Sequence, residues 1–339
     1  GQFTISNFVG PELTDTLVED IDGTGVVLGS ATAADILGLT VHEVTGSGVR
    51  VRGRASAVLR DCRITRPGRS GLLTEDEASV TVLDCRLEET GAEGVRVLGS
   101  SRRPEGDPER PEAAEGGVVL ADCRVLDTGT DGVAVSGTGD VLLLTTRIRG
   151  GSGPGVSADD DSTAVLVDCR VDRPHGSCLV ARGNARLSAE GTSVHGSAAN
   201  GLLAGGRSRV SLASSDVTDC RFSAVHACDD SRLSLTACRI GATPEHGVRA
   251  TDRAELTVEG VRISDCGQSG LQIDSAAGPG CADCPCCADA PGSPRTPPAR
   301  SSWRNATSRR PNAPASPAAP APRPYCGTAG SAVPAPRAW

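Results

Sequence analysis

The sequence repeats itself every 23 residues. Gly48 to Ser70 reads GVRVRGRASAVLRDCRITRPGRS, Gly71 to Glu93 reads GLLTEDEASVTVLDCRLEETGAE, and further copies keep the spacing on both sides. A fixed period between about 20 and 50 residues marks a repeat architecture, in which a unit buries its apolar face only by stacking on its neighbours.

Each copy can be numbered from its opening residue: Gly25, Gly48, Gly71, Gly94, Gly132, Gly155, Gly201, Gly247 and Gly270, with Cys178 and Ala224 in two copies. Position 2 is always Val or Leu, as in Val49, Leu72 and Val95. Position 12 (Leu59, Val82, Leu120) and position 17 (Ile64, Leu87, Val125) are apolar too. Positions 2 and 4, 10 and 12, and 15 and 17 point one way, with polar residues between. That period of two predicts three short strands per copy and no helix. Three strands with small or polar corners describe an all-β, right-handed parallel β-helix (a solenoid) of about eleven 23-residue coils. Ten coils stacked at the usual strand spacing of ~4.8 Å extend roughly 48 Å.

A lone coil buries about five apolar side chains, each contributing roughly 1.5–3 kcal/mol at best. Ordering its backbone costs about 1–2 kcal/mol per residue. Stacking must close that gap. The opening Gly suits a corner with positive φ or one where another backbone passes close by. Residues 1–24 read as an atypical first coil that also serves as a cap, since an open end is an exposed sheet edge. The β-helix is expected over 25–277. One copy, Gly94 to Asp131, is longer, and its charged, Pro-rich addition at 101–115 (SRRPEGDPERPEAAE) is expected to be a solvated loop.

The motifs G-[VL]-x-V, A-S-x-x-[VL]-x-D-C-R-[IVL] and the G-x-x-G corners resemble the right-handed β-helix proteins related to pectate lyase and pectin lyase. The resemblance covers roughly residues 2–275. It implies architecture and leaves activity open among lyases, hydrolases, epimerases, adhesins and modules without catalysis. Cys- and Arg-rich copies of this style resemble actinobacterial proteins, some of which join the β-helix to an AAA-type ATPase domain. No GxxxxGK[ST] motif is present, and the chain has no Lys.

Charge and composition exclude some classes. The formal net charge is −8, and residues 279–339 hold seven Arg against Asp283 and Asp289, so the acidic excess belongs to residues 1–278. General nucleic-acid binding needs a basic footprint and is not expected. No apolar run approaches the ~18 residues of a membrane span. The sequence opens without a signal-peptide pattern and lacks Met, as a fragment or processed product would.

Three rows of side chains are candidates for function. Position 15 carries Cys62, Cys85, Cys123, Cys169 and Cys238. The resemblance implies a stacked Asn ladder at this inward corner; here small thiols fill it. Stacked neighbours stand ~4.8 Å apart, too far for a disulfide, and unpaired thiols point to a reducing, cytoplasmic setting. The outward position 16 carries Arg63, Arg86, Arg124, Arg147 and Arg170. They could grip an anionic polysaccharide, or form a salt-bridge lattice with Asp61, Asp84, Asp122, Asp168 and the acids at positions 18 and 19. The resemblance places catalysis on the outer face of the first strand, with carboxylates, Arg and often Ca²⁺. Position 3 there holds no carboxylate. Acids cluster one corner later, as Glu75, Asp76, Glu77 and Asp159, Asp160, Asp161, where they could bind Ca²⁺ or act as acid and base. Between Gly25 and Asp274 the only aromatic residue is Phe222, which leaves little to stack on a sugar ring. The five His residues are scattered, only His42 and His195 falling at the same repeat position, and form no triad.

The register ends after Ile273. Residues 278–339 are rich in Pro, Ala and Arg, cannot build a core and are expected to be disordered. Cys281, Cys284, Cys286 and Cys287 lack the second ligand pair of a structural zinc site. The abrupt change of composition fits an out-of-frame translation of GC-rich DNA. The sequence reading favours a non-catalytic recognition or scaffold module binding a polysaccharide or protein. Its alternative is a lyase or hydrolase of an acidic polysaccharide.

Overall fold

The computed structural model describes residues 3–6, 9–99, 116–275 and 307–308. The 101–115 insertion, the four-Cys cluster and, but for Thr307 and Ser308, the 278–339 tail lie outside the described residues.

Each coil gives one strand to each of three parallel sheets, as Val49–Val51, Ser56–Arg60 and Arg63–Thr65 do. Sheet A runs through twelve strands from Phe3–Ser6 to Leu271–Ser275, and sheet B through eleven from Val9–Thr14 to Glu255–Glu259. Sheet C begins at Leu17–Glu19 and, after Arg262–Cys266, adds the pair Thr307–Ser308. Partners are one repeat apart: Leu72 pairs with Val49, Val80 with Ala57 and Leu87 with Ile64. The long copy keeps register because its addition enters between two sheets, so that Val80 still pairs with Val118.

The inward positions stack into one core. In the coil from Gly48, Val49, Val51, Ala57, Leu59, Cys62 and Ile64 are all buried. Each apolar side chain therefore sits on the equivalent one from the next coil, which supplies the burial that a single coil lacks.

The corners explain the remaining pattern. In three places per coil, at positions 6, 14 and 19, the backbone enters the left-handed region. In the coil from Gly71 these are Asp76, Asp84 and Glu89, with φ of 61°, 52° and 54°. Gly, Asp and Asn tolerate that region best, which accounts for the recurrence of Gly and Asp at those positions. The opening Gly is different: Gly25, Gly48 and Gly71 do not have positive φ. A Cβ at Gly25 would lie 2.6 Å from the carbonyl oxygen of Gly48 and 2.8 Å from Val41 Cγ1. Glycine is there because consecutive coils touch backbone to backbone.

Candidate functional site

The position-16 Arg row lies on the outer face of sheet C and is mostly neutralised from within. Arg63 and Arg86 share Glu88, at 3.4 and 2.5 Å. Arg147 and Arg170 share the buried Asp172, at 3.1 and 2.6 Å. Arg124 has no carboxylate partner among the described residues. The neutralising acids come from position 18, whereas Asp61, Asp84, Asp122 and Asp168 occupy the left-handed corner at position 14. A row whose charges are met internally offers little to a ligand.

The position-15 thiols are buried and bond to backbone. Cys123 Sγ contacts the carbonyl oxygens of Ala121 at 3.2 Å and Val82 at 3.4 Å. Cys62, Cys85, Cys169 and Cys238 repeat both contacts, and Thr146 makes them through its hydroxyl. Burial pushes the Cys123 thiol up to about 12 and that of Cys169 to about 11. Such thiols are poor nucleophiles and poor metal ligands at neutral pH.

The acidic corners divide into two kinds. Asp76 Oδ2 accepts a hydrogen bond from the Gly53 N–H at 3.0 Å, and Asp160 Oδ2 accepts one from Gly137 N–H at 3.0 Å. Asp229 does the same for Gly206 at 2.7 Å. These position-6 carboxylates each satisfy a backbone donor of the preceding coil. Asp161 accepts from Asn184 at 3.0 Å, and Glu77 is exposed. Glu75 and Asp159, at position 5, instead face outward beside sheet A. Glu75 pairs with Arg50 at 2.7 Å, in a groove of about 330 Å³ lined by Arg50, Arg52, Glu75, Asp76, Leu98 and Gly99.

Asp159 belongs to a cluster built from three coils on that same face. Position 23, the last residue before the opening Gly, also projects there. In two consecutive coils it is acidic, as Glu93 and Asp131. Their backbones are adjacent, with the Gly94 N–H bonded to the Asp131 carbonyl at 3.0 Å. Glu93 is buried; it accepts from Ser70 Oγ at 2.8 Å and pairs with Arg96 Nη1. Asp131 Oδ2 accepts from Ser157 Oγ. Burial raises the Asp131 carboxyl above its ordinary range; Glu93 and Asp159 raise it further, and the Ser157 bond and Arg182 oppose. Burial raises Asp159 as well, against the pull of Arg182 and with help from Asp160. The result is three carboxyl groups, two of them held toward the protonated form, beside Arg96 and Arg182. Half-buried carboxyls raised in this way suit general acid–base work.

The sequence reading missed Glu93 and Asp131. Position 23 is Ser in most other coils, so two successive acids were the available signal. Toward the other end of sheet A, His226, His246 and Arg249 share the outer face. Burial lowers both imidazoles, with Arg249 adding to the effect, and His246 Nδ1 and Arg249 Nε are buried without hydrogen-bond partners.

Parallel coils stacked into three sheets define a β-helix repeat protein. The family described as right-handed β-helix region matches residues 4–137 and 154–284, and the chain belongs to it. Among solved structures, the periplasmic alginate epimerase AlgG is similar with a TM-score of 0.61 at 11% identity, over 81% of this chain and 77% of that one. The catalytic unit of a GH87 α-1,3-glucanase from Streptomyces thermodiastaticus gives 0.49 at 14%, over 82% and 63%. The Azotobacter vinelandii mannuronan C-5 epimerase AlgE4 A-module gives 0.47 at 10%, over 82% and 91%. These likenesses are of fold. No curated protein matches the sequence.

Proposed function

We propose that the protein binds an acidic polysaccharide along the outer face of sheet A and cleaves it with Asp131 and Asp159. The observation that carries this reading is the pair of carboxyls raised by burial beside Arg182 on one face. A carboxyl kept protonated at mildly acidic pH donates its proton to the departing glycosidic oxygen. A second, ionised one takes a proton from water or from the sugar ring. Arg96 and Arg182 hold the ligand's carboxylates. The alginate epimerase of like fold acts, as its name says, on an acidic polysaccharide, which supports the choice of substrate class.

Polygalacturonate and alginate are the substrates to offer, reading both new reducing ends and the ultraviolet absorbance of an unsaturated uronate. Cleavage is expected, with hydrolysis giving the first signal alone and elimination giving both. Asp131→Asn and Asp159→Asn should each reduce it at least about a hundredfold. Full activity in both variants would end this assignment.

The second reading is the non-catalytic recognition module, to which the resemblance to β-helices joined to ATPase domains also belongs. Its support is that Glu93 and Asp131 already have partners in Arg96, Ser70 and Ser157, as members of a structural lattice would. Binding of a glycan without turnover would establish it.

A further inference from the structure

Many of the described arginines are met by acids. Arg50, Arg63, Arg66, Arg147, Arg239 and Arg253 each stand within ion-pair distance of a carboxylate. Others, such as Arg124 and Arg262, have no carboxylate partner among the described residues, and on the outer face of sheet B such arginines fall side by side. At position 9, Thr163, Arg186, Arg209, Arg232 and Glu255 fall in strict register across five strands. Arg232 pairs with Glu255 at 2.9 Å, while Arg186 and Arg209 have no carboxylate partner among the described residues. All three arginines are exposed. Neighbours in such a row are ~4.8 Å apart, and like charges directly opposite each other destabilise a sheet.

Beside the arginines runs a second row, of hydroxyls. Ser188, Ser211 and Ser234 occupy position 11, flanked by Val165 and Thr257 in the same register. Ser211 Oγ donates to Ser188 Oγ at 3.1 Å, which leaves further hydrogen-bonding capacity on both. The two rows line a groove of about 430 Å³. Besides Glu255 in the arginine row and Asp140 one strand beyond Thr163, the acids Glu190 and Glu259 stand at the far edge, position 13.

From this charge pattern we infer that the sheet B groove binds a second segment of acidic polysaccharide, laid across successive coils. Arginines one strand apart meet carboxylates of successive sugars, and the serine row meets their hydroxyls. Nucleic acid is the less suitable polyanion: the face has no aromatic platform for bases, and the chain carries a net charge of −8. The site shares its ligand class with the sheet A reading, yet it requires no cleavage, and the two fail separately.

The test is affinity electrophoresis and calorimetry on the full chain with polygalacturonate and alginate, with neutral dextran and a single-stranded oligonucleotide as comparators. In an Asp131→Asn background, which removes turnover, uronan binding should persist and weaken with salt. The triple variant Arg186→Ser, Arg209→Ser, Arg232→Ser should bind about tenfold more weakly. The corresponding three Arg→Lys changes keep charge and fold and should recover part of the loss. Unchanged binding in the triple serine variant, or equal binding of dextran, overturns the groove as a site. Tighter binding of the oligonucleotide than of either uronan overturns the ligand class. Loss of cleavage with retained groove-dependent binding, or the reverse, shows which of the two faces fails.

Discussion

The carbonyl oxygen of Gly71 lies 2.7 Å from where a Cβ on Gly48 would stand, with Ile64 Cγ2 closer still at 2.4 Å. Consecutive coils are therefore spaced by backbone contact at this corner, and the side chain that would wedge them apart is missing. Gly48→Ala should destabilise by about 1–3 kcal/mol, read by urea unfolding, because backbone must move. Ala224 occupies the same position in one coil, so the change should be survivable. Gly29→Ala is the control: its nearest neighbour would be the flexible Arg52 side chain at 3.6 Å, and no loss is expected.

At the corners, the choice of residue should follow φ. Asp84 sits at φ 52° with an exposed side chain, so Asp84→Gly is expected to be close to neutral. Asp84→Val places a β-branched residue in the left-handed region and should cost about 1–2 kcal/mol. Equal melting temperatures for the two variants would refute a conformational role for position 14.

The buried thiols of Cys123 and Cys169 should be silent in the folded chain. With Cys123 pushed up to about 12 and Cys169 to about 11, a disulfide reagent at pH 8 should label neither until the protein unfolds. Cys123→Thr should be tolerated within about 1.5 kcal/mol, since Thr146 fills the same corner with the same two carbonyl contacts. Labelling of the folded protein at these positions would contradict the burial.

Two kinds of group should give stability an opposite pH dependence. His226 and His246 are lowered by burial, so their contribution is present above the ordinary histidine range and is lost as pH falls through it. The double variant His226→Gln, His246→Gln should flatten the unfolding free energy between about pH 7 and 5. Asp131 and Asp159 are raised, so their contribution is present below about pH 4 and is lost as pH rises through their higher folded values. Asp131→Asn should therefore stabilise the protein at neutral pH and cease to do so in acid. A destabilised Asp131→Asn at pH 7 would mean that the Ser157 bond outweighs burial.

The fold was readable because it depends on a period, and the inward residues Val49, Leu59 and Ile64 mark that period in every coil. The site was less readable because one residue type answers two demands. Asp84 and Asp168 look like counter-ions to Arg86 and Arg170 in sequence, yet the chain uses them to turn a corner, and Glu88 and Asp172 carry the charge pairing. Asp159 and Asp160 are adjacent and chemically alike, but only their backbone angles separate a carboxyl facing the cluster from one that caps Gly137. Glu93 and Asp131 are 38 residues apart because the 101–115 insertion intervenes, which hides their stacking from any reading at constant spacing.

The glycine contact at position 1 also bears on how such a chain can change. All but the two coils opening at Cys178 and Ala224 meet their neighbour through the same small set of atoms, so those joints are interchangeable with one another. A gene that gains or loses one whole repeat between two joints keeps every remaining contact. The carboxyl cluster and the arginine groove can then drift apart or together along the axis, one unit at a time, without either being rebuilt.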